Sequence, residues 1–217
     1  MPIIRSGNKV AYFSHIPKCA GSAIEAYIHK SGKAQLSFLD NRFLSHQPQT
    51  LWTKSSPQHV DGVSLARLFP SASFFDLFFA VIRNPYDRLK SAYKFQKYVE
   101  RKITADVDFK KFVLSLDEGA INTIGLNDNH FLPQYRLFYP KAPYMVFKLE
   151  EGLEPVKKWL DLHLFGEEQP YEIGVVNDFS KRGIKVDEDL SWDPEMREVV
   201  SKLYKLDFEL FGYETGL

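Results

Sequence analysis

The stretch that most constrains this chain is Phe74 to Arg83, FFDLFFAVIR, followed at once by Asn84-Pro85. Its apolar residues occupy both alternating faces, as in a strand covered on two sides within a parallel sheet. Asn84 has the chemistry of a helix N-cap, Pro85 suits the first helical position, and Asp87 falls in the first turn. The spacing predicts a helix to about Arg101, with Leu89, Ala92, Tyr93 and Phe95 at roughly helical intervals. A buried strand feeding directly into a capped helix is half of a β–α unit, which points to α/β architecture.

A second junction of this kind lies upstream. Val10 to Ile16 (VAYFSHI) reads as a strand ending at Pro17, then a tight loop Lys18-Cys19-Ala20-Gly21, then a helix from Ser22 to about His29. Ser22 and Glu25 have capping-box spacing, which predicts the helix start at the end of the loop. Gln35 to Ser71 reads as polar and irregular, and carries His46 and His59. Helices are expected at Phe109–Leu116 and Leu153–Leu164, a strand at Tyr144–Leu149, and a last helix from Asp193-Pro194 toward Leu206. The alternation predicts one domain over residues 1–217: a three-layer α/β/α fold with a central parallel sheet, like that of P-loop nucleotide kinases. Ligands of such sheets bind beyond the carboxyl ends of the strands, where both junctions, 16–22 and 82–87, are expected.

The 217 residues suffice for a sizeable core, and 28 basic against 28 acidic side chains leave no net charge. No global field therefore draws the protein to nucleic acid, and an anionic ligand needs a local basic cluster. Cys19 is the sole cysteine, so no intrachain disulfide is possible. The N-terminal residues lack the apolar stretch of a signal peptide, and the apolar run Phe74–Ile82 is too short to span a bilayer. The expectation is a soluble, cytoplasmic protein with no integral membrane segment.

The loop His15-Ile16-Pro17-Lys18-Cys19-Ala20-Gly21-Ser22 has the physics of a phosphate cradle: a helix N-terminus, small residues, a lysine and a hydroxyl. It is not a Walker A sequence. A capped helix with a solvated lysine explains it equally well. At the second junction Arg83 offers a planar fork for phosphate, and Ser91 lies two turns on, roughly on the face of Asn84. Here the plainer reading is an Arg83–Asp87 pair and a neutral helix serine.

Taken in order, these segments resemble the PAPS-dependent sulfotransferases. Pro17-Lys18-Cys19-Ala20-Gly21-Ser22 is similar to their 5′-phosphosulfate loop. Arg83-Asn84-Pro85-Tyr86-Asp87-Arg88 through Ser91-Ala92-Tyr93 is similar to their 3′-phosphate motif. The closest group is the carbohydrate type, with the heparan 2-O and chondroitin enzymes and bacterial relatives. Gln58-His59, His130 to Gln134 (HFLPQ), Val146 to Glu150 (VFKLE), Val176-Asn177 with Ser180, and Asp207 to Tyr213 (DFELFGY) resemble further family segments. Cys19-Ala20 departs from the common threonine and glycine, though small residues there still permit close approach.

The resemblance implies the donor 3′-phosphoadenosine-5′-phosphosulfate (PAPS), the product adenosine 3′,5′-bisphosphate, and a carbohydrate or glycoconjugate acceptor. It implies Lys18 with the residues Cys19, Ala20, Gly21, Ser22 and Ala23 at the 5′ end. Arg83 and Ser91 would hold the 3′-phosphate, with Asn177 and Ser180 beside the nucleotide. His59 matches the family's general base, and His130 with Gln134 would line the acceptor site. Lys18 would also offset charge on the leaving oxygen. Glu25 is a further candidate base, with the capping box its simpler role, and His15 reads as structural.

No metal is expected, because the second strand ends in Arg83 instead of a metal-binding aspartate and no ligand spacing stands out. Trp52, Tyr135 and Trp192 suit sugar stacking or core packing alike. Two other readings stay open at this point: a P-loop-like nucleotide kinase, and a non-catalytic module that binds adenosine 3′,5′-bisphosphate or glycans.

Overall fold

A computed structural model describes residues 2–37, 55–174 and 183–216. In chain order the main elements are β1 (Ile3–Ser6), β2 (Lys9–Ser14), α1 (Gly21–Ser31), β3 (Gln35–Leu36), α2 (Gly62–Leu68), β4 (Leu77–Ile82) and α3 (Pro85–Lys94). There follow α4 (Phe109–Leu114), α5 (Glu118–Asn122), β5 (Tyr144–Lys148), α6 (Glu154–Leu160), α7 (Pro194–Leu203) and α8 (Lys205–Phe211).

The strands form one sheet in the order β3-β1-β2-β4-β5. β2, β4 and β5 run parallel, in a register that pairs Phe13 with Phe79 and Phe79 with Met145. β1 is antiparallel to both of its neighbours, so β3 points the same way as β2. The sheet is thus mostly parallel, with one reversed strand near its edge. Asp76 fixes the entry of β4, its carboxylate accepting from the Val10 amide at 2.7 Å and its own amide donating to Val10 O at 2.8 Å.

Both sheet faces are covered. On one, Phe13, Phe79 and Val81 pack with Ile24 and Ile28 of α1 and with Val156 and Leu160 of α6. On the other, Tyr12 and Phe78 join Val60, Leu65 of α2, Phe75 and Tyr139. Phe79 is fully buried, and a side chain of this kind contributes about 1.5–3 kcal/mol relative to exposure. A third cluster unites α3, α4, α7 and α8 through Tyr86, Tyr93, Phe109, Phe112, Val200 and Phe208.

Several expectations change in detail. The segment read as irregular contains α2, capped by Asp61, whose carboxylate accepts from the Ser64 amide at 3.0 Å. The helix after Asn84 is α-helical only to Lys94 and continues as a π-helical turn over Phe95–Val99. The last helix is broken at Tyr204 into α7 and α8. The short strands β1 and β3 were not visible in the sequence pattern.

The Ser22–Glu25 capping box does not form. Ala20 is the N-cap of α1 with no side-chain hydrogen bond, and Glu25 turns instead to His15, 2.6 Å from its Nδ1. A buried imidazole N–H offers the carboxylate a hydrogen bond shielded from water, which a backbone amide at a solvated helix end does not. No helix among the described residues is long and apolar enough to cross a membrane.

Candidate active site

The first junction begins where β2 ends, with Ser14 Oγ donating to Leu137 O at 3.0 Å. The chain then turns sharply: the Ile16 amide returns to Ser14 O (2.9 Å) and the Cys19 amide to Ile16 O (3.3 Å). Lys18 and Ala20 both take left-handed backbone conformations, with φ of 69° and 61°. Ala20 O accepts the Ala23 amide at 2.9 Å as α1 starts. Among the described residues, the amides of Ala20, Gly21 and Ser22 have no protein acceptor. Three successive donors thus stand at the positive end of a helix. Gly21 is required for packing, since a Cβ there would lie 2.0 Å from the His15 ring.

The second junction lies on the neighbouring strand. Asn84 caps α3, its Oδ1 accepting from the Tyr86 amide at 3.0 Å, with Pro85 at the first helical position. Arg83 Nη1 approaches Lys18 O at 3.5 Å, so the two junctions meet at the carboxyl edge of β2 and β4. Arg88, 2% exposed, ties them more firmly: its Nε donates to Pro17 O (3.1 Å) and its Nη2 to His130 O (3.2 Å) and Leu132 O (2.8 Å).

A hydrogen-bonded frame holds the strand-end arginine. Gln134 is fully buried, its Oε1 accepting from Arg83 N (2.9 Å) and its Nε2 donating to Arg83 O (2.8 Å). Asp207 in turn accepts from the amides of Gln134 (2.8 Å) and Tyr135 (3.0 Å). Glu150 accepts from the Asn84 amide (2.6 Å) and from the Tyr213 hydroxyl (3.0 Å).

Three histidines meet beside this edge. His59 Nδ1 lies 2.8 Å from Asp128 Oδ2, and its ring meets His15 and His130 edge-on at 5.0 and 5.3 Å between centroids. His130 stacks on Phe95 at 5.1 Å, and the Lys18 ammonium lies 4.2 Å from the same Phe95 ring. The π-helical turn begins at Phe95, linking the lysine loop to the histidine cluster.

The model of the sulfotransferase family matches residues 1–214, nearly the whole chain. The chain belongs to the sulfotransferase family. No curated protein and no solved structure matches it.

In this sulfotransferase, Lys18 and Arg83 are brought together, and Ser91 lies half-buried two turns along α3. Of the loop amides expected at the 5′ end, those of Cys19 and Ala23 are already bonded within the turn. Gln134, expected to line the acceptor site, has its amide committed to Arg83. His15 is buried beneath Gly21 and Glu25 is its partner. No ion pair joins Arg83 to Asp87 among the described residues. Asn177, Ser180, His46 and Trp52 lie outside the described residues. Trp192 packs between Tyr86 and Phe109, with centroids 5.1 and 4.9 Å away.

Burial and charge tune the groups. Burial, then repulsion from His59, holds the His130 imidazole well below the ordinary histidine range. Burial also lowers His15, against the opposing pull of Glu25. Burial would raise Asp128, but the charge of and hydrogen bond from His59 outweigh it and hold the carboxyl well below its ordinary value. The Cys19 thiol is pushed up to about 12, by burial first. Lys94 is lowered by partial burial and by repulsion from Arg83 and Lys90, which marks a basic cluster along α3 that the sequence reading missed.

His59, Asp128 and His130 offer donor atoms within 4.8 Å of one another, a zinc-like set that spacing did not reveal. Here Asp128 and the Nδ1 atoms of both histidines are engaged with one another and with the protein. Asp128 accepts from the Ser56 amide (2.6 Å), the Ser56 hydroxyl (2.9 Å) and His59, and His130 Nδ1 is bonded to Asn127 O at 2.7 Å.

Proposed function

We propose that this protein transfers a sulfuryl group from PAPS to a hydroxyl of a carbohydrate or glycoconjugate. Lys18 and the amides of Ala20, Gly21 and Ser22 hold the 5′-phosphosulfate, and Arg83 with Ser91 holds the 3′-phosphate. The observation that carries this reading is the 3.5 Å approach of the Arg83 guanidinium to the Lys18 carbonyl, which joins two phosphate-type junctions into one site. One ligand bearing anions at two ends suits such a pair, and the crowding of Lys94 with Arg83 and Lys90 is relieved by a phosphate nearby.

The acceptor oxygen attacks sulfur in line as the bond from sulfur to the bridging phosphate oxygen breaks. His59 takes the hydroxyl proton, a contribution of about 10²–10⁴-fold. Lys18 offsets the charge left on the 5′-phosphate of adenosine 3′,5′-bisphosphate. His130, kept neutral, faces the acceptor. Gln134 acts at one remove by fixing Arg83. The transferred group carries little charge, so no metal is required.

The test compares ligands by thermal stabilisation. Adenosine 3′,5′-bisphosphate raises Tm well beyond AMP at equal concentration, because stabilisation follows affinity for the folded state. Equal shifts would contradict a dedicated 3′-phosphate site.

A further inference from the structure

Residues Asn127, Asp128 and Asn129 form an uncommon backbone element, three consecutive non-glycine residues with φ of 48°, 56° and 60°. Asn and Asp tolerate this region better than other residues, yet such a run persists only where surrounding contacts over-determine it. The contacts here are directed at the histidines. Asp128 Oδ2 lies 2.8 Å from His59 Nδ1. Asn129 Nδ2 donates to His59 O at 2.7 Å and its Oδ1 accepts from Gly125 N at 2.7 Å. Asn127 O lies 2.7 Å from His130 Nδ1.

A carbonyl and a carboxylate can only accept, so each imidazole, when neutral, carries its proton on Nδ1 and keeps the Nε2 lone pair. We infer that the left-handed turn Asn127–Asn129 is the positioning element of the general base, with Asp128 fixing the tautomer and orientation of His59. The inference rests on His59 being the base. As the acceptor O–S bond forms and the donor S–O bond breaks, the hydroxyl proton passes to His59 Nε2. The carboxylate of Asp128 then faces the new imidazolium without taking its proton, as in other carboxylate-supported histidine bases. The charged or titratable groups around His59 are Asp128, His130 and His15, with Glu25 behind His15 and Lys18 beyond His130.

The test begins with the unaltered protein. ¹⁵N-histidine NMR of the neutral rings should show His59 and His130 protonated at Nδ1, and a neutral His59 protonated at Nε2 would overturn the inference. Asp128→Asn should then lower kcat about a hundredfold or more, leave KM for the donor within a fewfold, lower the base's apparent pKa in the pH–rate profile, and mix the His59 tautomers. A kcat within threefold of the parent together with an unmoved tautomer would also overturn it. Should His59→Ala retain full kcat while Asp128→Asn still shifts the tautomer, the base assignment fails and the control of the tautomer by Asp128 stands.

Discussion

Arg88 reaches back from the second junction to the first, its Nε bonded to Pro17 O at 3.1 Å. A buried guanidinium thus sets the distance between the lysine loop and the strand-end arginine. Two further carbonyls, of His130 and Leu132, complete its surroundings and join the histidine segment to the same hub. Only a planar fork satisfies acceptors disposed this way.

Replacing Arg88 with lysine keeps the charge but leaves buried carbonyls unpaired. The expected loss is about 2–4 kcal/mol of folding stability, since each unsatisfied buried acceptor costs about 1–3 kcal/mol. Urea denaturation measures it, together with weaker binding of adenosine 3′,5′-bisphosphate. An unchanged midpoint would show that the clamp is dispensable.

Ala20 sits at φ 61°, where an alanine is strained and a glycine is not. Ala20→Gly should therefore stabilise the fold by about 1 kcal/mol, or about 2–4 °C in Tm for a chain of this size. Calorimetry checks this. A fall in Tm would mean that the left-handed conformation is not required there.

Acid should destabilise the protein earlier than ordinary carboxylate chemistry would. His130 and His15 have folded pKa values below 6.5, so below that pH the unfolded chain binds more protons and stability declines. Asp128 is depressed below 3.8, so its own contribution is present above 3.8 and is lost as pH falls toward its folded value. Tm measured from pH 7 to 5 should drop, and His130→Gln should flatten that slope. A flat profile in the parent would contradict neutral burial of the two imidazoles.

Gln134→Leu removes both bonds to the Arg83 backbone while preserving volume approximately. The expected outcome is a loss of the preference for adenosine 3′,5′-bisphosphate over AMP, larger than any loss of AMP binding itself. Isothermal titration with both nucleotides reads the difference. A proportional loss for both would place the role of Gln134 in general stability.

The junctions were legible because their signals are local. The apolar run, the Asn84 cap and Pro85 predict β4 and the start of α3, and the loop of small residues predicts the start of α1 to within a residue. The frame was not, because its partners are far apart in sequence. Asp128 is 69 residues from His59 and Gln134 is 51 from Arg83. No periodicity links such residues, and the segments HFLPQ, VFKLE and DFELFGY were visible as resemblances whose roles emerge only when Gln134, Glu150 and Asp207 are seen gripping the backbone. Glu25 departs from the capping-box expectation because two partners are within its reach and burial favours the imidazole over the helix cap.

The central claim is that Lys18 and Arg83 grip opposite ends of one nucleotide. Isothermal titration of the parent, Lys18→Ala and Arg83→Ala with adenosine 3′,5′-bisphosphate and AMP tests it most directly. Arg83→Ala should abolish the preference for the bisphosphate, while Lys18→Ala should weaken both ligands alike and keep that preference. A preference that survives loss of Arg83 would contradict the account.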